Sequence, residues 1–271
     1  MYNVLLSNIL YQISEPVVMG IVNVSSDSFY ESATQDADII ALVKRHISEG
    51  AKVIDIGGCS TRPSSEYVSE KVELERVRHA LELIRAQFAD IALSVDTFRT
   101  SVARMAVEEY GVSVVNDISG GHFDNRMYET VGSLGVGYVL TYFASELSDK
   151  RGDEYIAEVI DFFQGRIYEL KQCGVKDIIL DPGFGFGKSL EQNYLLLSRL
   201  ADLRIFGLPI LAGVSHKSMI YRVLGTDANG AGYGSTVAEF VAMQNGADII
   251  RTHNVKSVSD GLKLLRKINT L

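Results

Sequence analysis

Short apolar runs alternate with longer amphipathic segments along almost the whole chain. Each apolar run holds six or seven residues and is bounded by turn-forming residues, which is the pattern of a buried strand. The eight predicted strands lie at 17–23, 52–57, 91–96, 112–118, 137–142, 177–182, 209–215 and 247–253. Helical spacing of the apolar residues between them predicts helices at 36–49, 70–88, 99–109, 154–173, 189–203, 232–245 and 257–269, with a shorter one at 124–134.

Glycines mark the ends of the predicted helices. A glycine directly before the next strand suits a helix end, because the closing residue often adopts a left-handed conformation. The glycines in this position are Gly50, Gly111, Gly135, Gly174, Gly207 and Gly246. The pattern therefore indicates repeated strand and helix units.

Regular alternation of strands and helices predicts a parallel sheet, and the nearly continuous apolar character of the strands predicts helices on both faces. Eight such units in about 250 residues are typical of a (β/α)8 barrel. We therefore predict an α/β protein that forms a single TIM barrel, with residues 1–271 as one domain. A doubly wound open sheet is the alternative.

Composition and charge narrow the class of protein. Hydrophobic residues make up 46% and charged residues 22% of the 271, so a large core can form. The net charge of -8 argues against a nucleic-acid partner, because binding to the phosphate backbone requires clustered Lys and Arg. No apolar run is long enough to span a bilayer, and the N-terminal run lacks the features of a signal peptide. We expect a cytoplasmic protein without a membrane partner, in which Cys59 and Cys173 are free thiols.

The carboxyl-terminal ends of the predicted strands are polar. In a (β/α)8 barrel these ends carry the functional residues. A single Asp or Asn there is usually a turn or helix cap, but many polar ends on one rim are expected to bind a polar heterocycle and an anion. Asp55 is predicted to point into the barrel and is interpreted as structural. The rim residues are Asn23, Asp27, Asp96, Asn116, Asp117, Tyr142, Asp181, Ser215, Lys217, Arg251 and His253.

Two kinds of ligand group fit this rim. Asp96, Asn116 and Asp181 supply acceptors and an amide, which complement an aminopyrimidinone edge with several N–H donors. The groups suited to phosphate oxygens are the cations Arg62, Arg251 and His253, beside the hydroxyls of Ser60 and Thr61. Together they indicate a phosphate ester of a heterocycle.

The segment "DPGFGFGKS" is rich in glycine but is not a nucleotide-binding loop. Its spacing matches neither G-x-x-x-x-G-K-[ST] nor the dinucleotide motif G-x-G-x-x-G. We expect Pro182 and the glycines to shape a loop that places Phe186 over the site.

Seven motifs, taken in order, resemble the dihydropteroate synthase family. They are "MGIVNVSSDSF", "IDIGGCSTRP", "SVDT", "NDISGG", "LDPGFGFGKS", "GVSHKS" and "RTHNV", and the resemblance runs from about residue 17 to 262. The family joins a pterin pyrophosphate to p-aminobenzoate on a (β/α)8 barrel. The resemblance therefore implies these two small-molecule substrates, Mg2+ as cofactor, and a homodimer formed through barrel helices.

The resemblance also implies roles for individual residues. The implied pterin ligands are Asp96, Asn116, Asp181 and Lys217. Asn23 would meet the Mg2+ that accompanies the pyrophosphate, whose other implied contacts are Thr61, Arg62, Arg251 and His253. The implied wall around p-aminobenzoate consists of Pro63, Phe186, Lys217 and Ser218. Catalysis would depend on electrostatic stabilisation and positioning by Arg62, Lys217, Arg251 and His253.

Several positions depart from the family pattern. Ser25 and Ser26 stand where Thr-Pro is usual, Cys59 replaces Glu, and His216 replaces Arg. Thr141 and Tyr142 replace a Met-His pair. None of these changes removes an implied pterin or pyrophosphate ligand. Two alternatives stay open: a pterin-dependent methyltransferase on the same barrel, which would not need the "STRP", Lys217-Ser218 or Arg251/His253 features, and a non-catalytic pterin-binding homologue.

Overall fold

The computed structural model describes residues 2–6, 9–13, 15–24, 33–59, 67–144 and 147–269. The chain begins with an antiparallel hairpin of β1 (Tyr2–Leu6) and β2 (Ile9–Ile13), in which Tyr2 pairs with Ile13. The sequence patterns did not predict this hairpin, because its two strands are not followed by helices.

Eight parallel strands follow, as the sequence predicts. They are β3 (Val17–Asn23), β4 (Val53–Gly57), β5 (Ala92–Asp96), β6 (Val114–Asp117), β7 (Gly137–Thr141), β8 (Ile178–Asp181), β9 (Leu211–Ala212) and β10 (Ile249–Thr252). From β3 to β8, each strand pairs with the next in sequence, and β10 pairs with both β3 and β9. A bridge between Leu180 and Ile210 joins β8 to β9. The sheet is therefore a (β/α)8 barrel, and the doubly wound alternative is wrong because the strand order never reverses.

Helices surround the barrel. They are α1 (Ala33–Glu49), α2 (Glu70–Gln87), α3 (Thr100–Tyr110), α4 (Met127–Leu134), α5 (Gly152–Gln172), α6 (Leu190–Ser198), α7 (Ser218–Leu224), α8 (Gly232–Gln244) and α9 (Val255–Asn269). None of these described helices combines the length and apolar character needed to cross a bilayer. All six glycines predicted to end helices have positive φ values, between 62° and 109°.

The sequence predictions differ from the structure mainly near the C-terminal third. The predicted helix 189–203 is two elements, because α6 ends at Ser198 and a 3-10 helix follows at Leu200–Phe206. The predicted strand 209–215 shortens to the two residues of β9, which has few ladder partners on β8. Helix α7 was not predicted, since its seven residues are too short to show a helical period.

The floor of the barrel is an apolar layer to which every strand contributes one buried side chain. These residues are Met19, Val53, Ala92, Val114, Val139, Ile179, Leu211 and Ile249. Side chains two residues apart on a strand point to the same face, so the next inward position on each strand lies directly above this floor. The composition of that next layer determines what the barrel can bind.

Candidate active site

The layer above the apolar floor is mostly polar. Counting two residues along each strand from the floor gives Ile21, Asp55, Ser94, Asn116, Thr141, Asp181, Gly213 and Arg251. The side chains of Asp55, Asn116 and Asp181 are buried. Burying so many polar groups costs free energy unless they are paired or bind a ligand. Asp96, two residues beyond Ser94 at the end of β5, is also buried and is counted with this polar layer, which is therefore the centre of the candidate site.

Arg251 connects two carboxylates in this layer. Its Nε donates to Asp55 Oδ2 at 2.6 Å, and its Nη2 donates to Asp96 Oδ2 at 2.6 Å. Burial works to lower the pKa of Arg251, but Asp55 and Asp96 outweigh that effect and raise it above its ordinary value. The guanidinium that the sequence assigned to pyrophosphate thus lies between two acids, while its pyrophosphate role stays a prediction.

Asp55 belongs to the site, although the sequence analysis interpreted it as structural. Its Oδ2 accepts a second hydrogen bond from Asn116 Nδ2 at 3.0 Å. Its Oδ1 is buried and has no hydrogen-bond partner among the described residues, and the same holds for Asp96 Oδ1. Buried acceptors without partners are costly in a folded protein and often mark functional sites. The alternation of inward positions along β4 could have identified Asp55 as a candidate ligand.

Asp181 and Lys217 form the opposite side of the site. Gly183 N donates to Asp181 Oδ1 at 2.8 Å, while burial raises the pKa of this carboxyl. Lys217 directly precedes α7, and burial lowers its pKa to about 8 although Asp181 opposes the change. The Lys217 Nζ lies 4.1 Å from the centroid of the Phe186 ring. The expected position of Phe186 over the site agrees with this contact.

Asn23 ends β3 at the rim and is exposed. A Cβ atom on Gly57 would lie 3.4 Å from Asn23 Oδ1 and 3.5 Å from Asp96 Cβ, so the glycine leaves space between these side chains. No group of three or more His, Cys, Asp or Glu within the described ranges could hold a metal ion. A single amide oxygen nevertheless suits Mg2+, which usually keeps several waters and takes its remaining ligands from substrate phosphates.

His253 follows β10 at the same rim and is exposed. Its Nδ1 lies 3.1 Å from Ser215 Oγ, which also accepts a hydrogen bond from His253 N at 3.3 Å. The ring of His216 packs edge-on against it at 5.4 Å between centroids. His216, whose side chain is shorter than the Arg usual at this position in the family, thus lies beside His253, a predicted pyrophosphate contact.

Other departures from the family pattern have local explanations. Cys59 is buried in a cluster with Phe98 and Ile118, and burial raises the pKa of its thiol. Tyr142 lies outside the polar layer and donates from its hydroxyl to Glu158 Oε1 at 2.7 Å. Thr141 occupies the inward position instead, with a buried Oγ1.

Some predicted site residues fall outside the part of the chain that the structure describes. They are Ser25, Ser26, Asp27, Ser60, Thr61, Arg62 and Pro63. The remaining predicted ligands lie on one end of the barrel. Ser218 belongs to this group, because it follows Lys217 as the first residue of α7.

Comparisons with known proteins identify the family of this chain. The model of the family described as "Pterin binding enzyme" matches residues 19–253. The dihydropteroate synthase of Haemophilus influenzae is 37% identical over 95% of this chain and 96% of its own length. The structure of Xanthomonas albilineans dihydropteroate synthase with 4-aminobenzoic acid is 34% identical and covers 99% of this chain and 98% of its own, with a TM-score of 0.91.

A second structure of the Xanthomonas albilineans enzyme, in complex with 7,8-dihydropteroate, is 32% identical and has a TM-score of 0.86. It covers 99% of this chain and 99% of its own. These matches extend over almost the full length of each protein, so they include the floor, the polar layer and the rim. The chain therefore belongs to the dihydropteroate synthase family of pterin-binding enzymes.

Proposed function

We propose that this protein condenses 6-hydroxymethyl-7,8-dihydropterin pyrophosphate with p-aminobenzoate to give 7,8-dihydropteroate and pyrophosphate. The observation that carries this proposal is the buried polar layer, in which Asp55 Oδ1 and Asp96 Oδ1 lack partners among the described residues. A pterin ring offers several N–H donors on one edge, and such donors would satisfy these acceptors.

Asp96, Asn116 and Asp181 bind the pterin edge in this proposal, and Asp55 acts with them. Arg251 holds two of these carboxylates in place by its bonds to Asp55 and Asp96. The Lys217 ammonium lies beside Asp181 and against the Phe186 ring, so it can reach the pterin from one side and p-aminobenzoate from the other. Phe186 and Ser218 complete the wall around p-aminobenzoate, to which the family resemblance also assigns Pro63.

The pyrophosphate binds at the rim above this layer. Its proposed contacts are Asn23, Thr61, Arg62, Arg251 and His253. When bound to the pyrophosphate, Mg2+ would neutralise part of its charge and so make it a better leaving group. Asn23 would contribute one amide oxygen to that ion, consistent with its exposed position at the end of β3.

The reaction replaces a C–O bond by a C–N bond at the pterin methylene. The electron pair of the C–O bond leaves with the pyrophosphate, and the cationic methylene is attacked by the amine of p-aminobenzoate, which then loses a proton. The buried carboxylates near the ring stabilise the positive charge that develops before attack. The aromatic wall holds the amine in line with the methylene carbon.

Dependence of product formation on Mg2+ tests the rim assignment. The purified protein is supplied with both substrates, and 7,8-dihydropteroate is measured with added Mg2+, with excess chelator, and with Mg2+ restored. We expect product formation to stop with chelator and to recover with Mg2+. Undiminished turnover in excess chelator would contradict the metal assignment.

We also propose a homodimer, which the family implies, formed through α6, α7 and α8. A groove of about 590 Å3 between these helices is lined by apolar side chains including Ile220, Val237 and Val241, of which Val237 is exposed. Val237→Glu should give a monomer in sedimentation equilibrium. Leu264→Glu is the control, because Leu264 on α9 has nearly the same exposure, 66% against 65%. A dimer that survives Val237→Glu would contradict this interface.

A cytoplasmic location is the last part of the proposal. Its support is that Cys59 and Cys173 form no disulfide in the part of the chain that the structure describes, as suits a reducing compartment.

A further inference from the structure

Lys188 lies in the loop between β8 and α6, residues 182–189, here called the β8–α6 loop. Its Nζ donates three hydrogen bonds, to Tyr142 O at 3.0 Å, to Gly183 O at 2.8 Å and to Phe186 O at 2.9 Å. An ammonium has three hydrogens, so these bonds use all of them. A neutral amine has only two and would leave one carbonyl without a partner. The Lys188 ammonium therefore holds Tyr142, Gly183 and Phe186 together through their carbonyl oxygens.

The surroundings of the Lys188 ammonium affect its charge in opposite directions. Lys188 Nζ lies 4.6 Å from the centroid of the Tyr142 ring, within the range of a cation–π contact. Burial lowers the pKa of Lys188 to about 7, and Asp181 opposes that change. The three carbonyl oxygens and the ring face all favour the charged form. Lys188 therefore joins the β8–α6 loop to the residue that follows β7.

The β8–α6 loop is held closely from other sides as well. Asn193 Oδ1 on α6 accepts a hydrogen bond from Gly185 N at 2.7 Å. A Cβ on Gly183 would lie 2.3 Å from Tyr142 O, and a Cβ on Gly187 would lie 2.2 Å from Ala144 O. Only glycine permits such close approach, so the backbone of the loop lies directly against the segment after β7.

Phe186 is the residue through which this arrangement reaches the active site. Lys188 binds its carbonyl oxygen, while its ring packs against the cluster of Cys59, Phe98 and Ile118. The Lys217 Nζ lies 4.1 Å from the centroid of the same ring. Lys217 in turn lies close enough to Asp181 for its charge to lower the pKa of that carboxyl. Contacts therefore run from Lys188 through Phe186 to Lys217, whose charge acts on Asp181.

We propose that Lys188 is a positioning residue for the condensation: its bonds to the β8–α6 loop fix the Phe186 ring, which sets Lys217 between the two substrates. This inference rests on the proposed function. Lys188 touches neither substrate, because all three of its hydrogens bind backbone oxygens. Its effect on the reaction therefore passes through Phe186.

Kinetics of Lys188→Met test this role, since Met keeps much of the side-chain volume and removes the charge and donors. We expect the KM for p-aminobenzoate to rise about tenfold or more, because a displaced Phe186 ring loses its contact with this substrate in the bound state. The dissociation constant of the pterin pyrophosphate, measured by calorimetry, should rise less than this KM, because Asp96 and Asn116 still bind the ring when Lys217 is displaced. Lys188→Arg keeps the charge and several donors and should restore part of the loss.

Lys176→Met is the matched control. Lys176 is exposed and lies before β8, at the opposite end of the strand from Lys188. Lys176→Met should show the wild-type KM for p-aminobenzoate and the wild-type dissociation constant for the pterin pyrophosphate. If Lys188→Met does not fold, Lys188→Arg alone provides the measurement, with a smaller rise in the same KM.

A double-mutant cycle separates positioning from a purely structural role. In a Phe186→Ala background, Lys188→Met should lower the thermal midpoint again but should add no further rise in the KM for p-aminobenzoate. An equal rise in both backgrounds, or an unchanged KM in folded Lys188→Met, would overturn the role. An inactive wild-type protein would contradict the proposed function itself, so the two failures are distinguishable.

Discussion

Arg251 on β10 and Asp55 on β4 are 196 residues apart in sequence, yet Arg251 Nε donates to Asp55 Oδ2 at 2.6 Å. Strand β3 lies between these strands and pairs with both. Asp96 on β5 accepts a hydrogen bond from Nη2 of the same guanidinium. One cation thus fixes carboxylates from two strands in the layer that we assign to the pterin. Removing either acid leaves a buried charge with fewer partners, which makes this layer sensitive to conservative changes.

Asp55→Asn tests the structural side of this relationship. The amide keeps the shape but cannot balance the Arg251 charge, and breaking a buried ion pair costs about 3 to 5 kcal/mol. Because Asp96 remains as a partner, we expect the free energy of unfolding in urea to fall by about 2 to 3 kcal/mol. Asp90→Asn at an exposed turn should change it by less than about 0.5 kcal/mol. Equal stability of the two variants would contradict the ion pair.

Asp181→Asn tests the pterin assignment. The substitution replaces an acceptor-only carboxylate by an amide, so a charge-assisted hydrogen bond to the ring is lost and about 1.5 to 3 kcal/mol of pterin binding with it. Calorimetric titration with the pterin ligand should show affinity reduced about tenfold or more. Asp177→Asn, which lies before the opposite end of β8, should bind normally. Wild-type affinity in folded Asp181→Asn would refute the assignment.

Substitution of Arg62 tests the role of the "CSTRP" segment in the reaction by kinetics. The hypothesis is that its guanidinium binds the pyrophosphate mainly as the C–O bond breaks, so Arg62→Ala should depress kcat more than it raises KM. Arg62→Lys keeps the charge but loses the planar fork and should remain clearly impaired. Steady-state kinetics with both substrates varied decide the question. Near-normal kcat in both variants would leave Thr61 and Pro63 as the functional residues of that segment.

Glu239 makes stability depend on pH. Its side chain is fully buried in α8, and burial raises its pKa from the ordinary 4.5 to about 7. The folded state therefore binds more protons than the unfolded state between these values, and stability falls as pH rises from about 4.5 through 7, by at most about 1.4 kcal/mol per pH unit from this group.

Glu239→Gln removes that contribution. Urea unfolding at several pH values should show a shallower decline between pH 5 and 7 for the variant than for wild type, and the difference isolates Glu239 from other buried acids. Parallel curves would show that Glu239 titrates normally in the folded protein.

The sequence predicted the barrel because its eight strands and most of its helices carry strong, regular periodicity. It did not predict α7 or β9 accurately, since elements of seven and two residues are too short to show a period. At the site, the sequence showed the polar residues at the strand ends, but it did not show which side chains would bind one another. The bonds of Arg251 to Asp55 and Asp96 depend on contacts between strands that are distant in sequence. The bonds of Lys188 to three backbone carbonyls depend on the path of one loop.

The central claim, that the polar layer serves a condensation of two substrates, is tested most directly by measuring 7,8-dihydropteroate and pyrophosphate together. Purified protein is incubated with Mg2+, the pterin pyrophosphate and p-aminobenzoate, and each substrate is omitted in turn. We predict equal amounts of both products, formed only when both substrates are present. Binding of the pterin pyrophosphate without any product would contradict the claim and favour a non-catalytic pterin-binding protein.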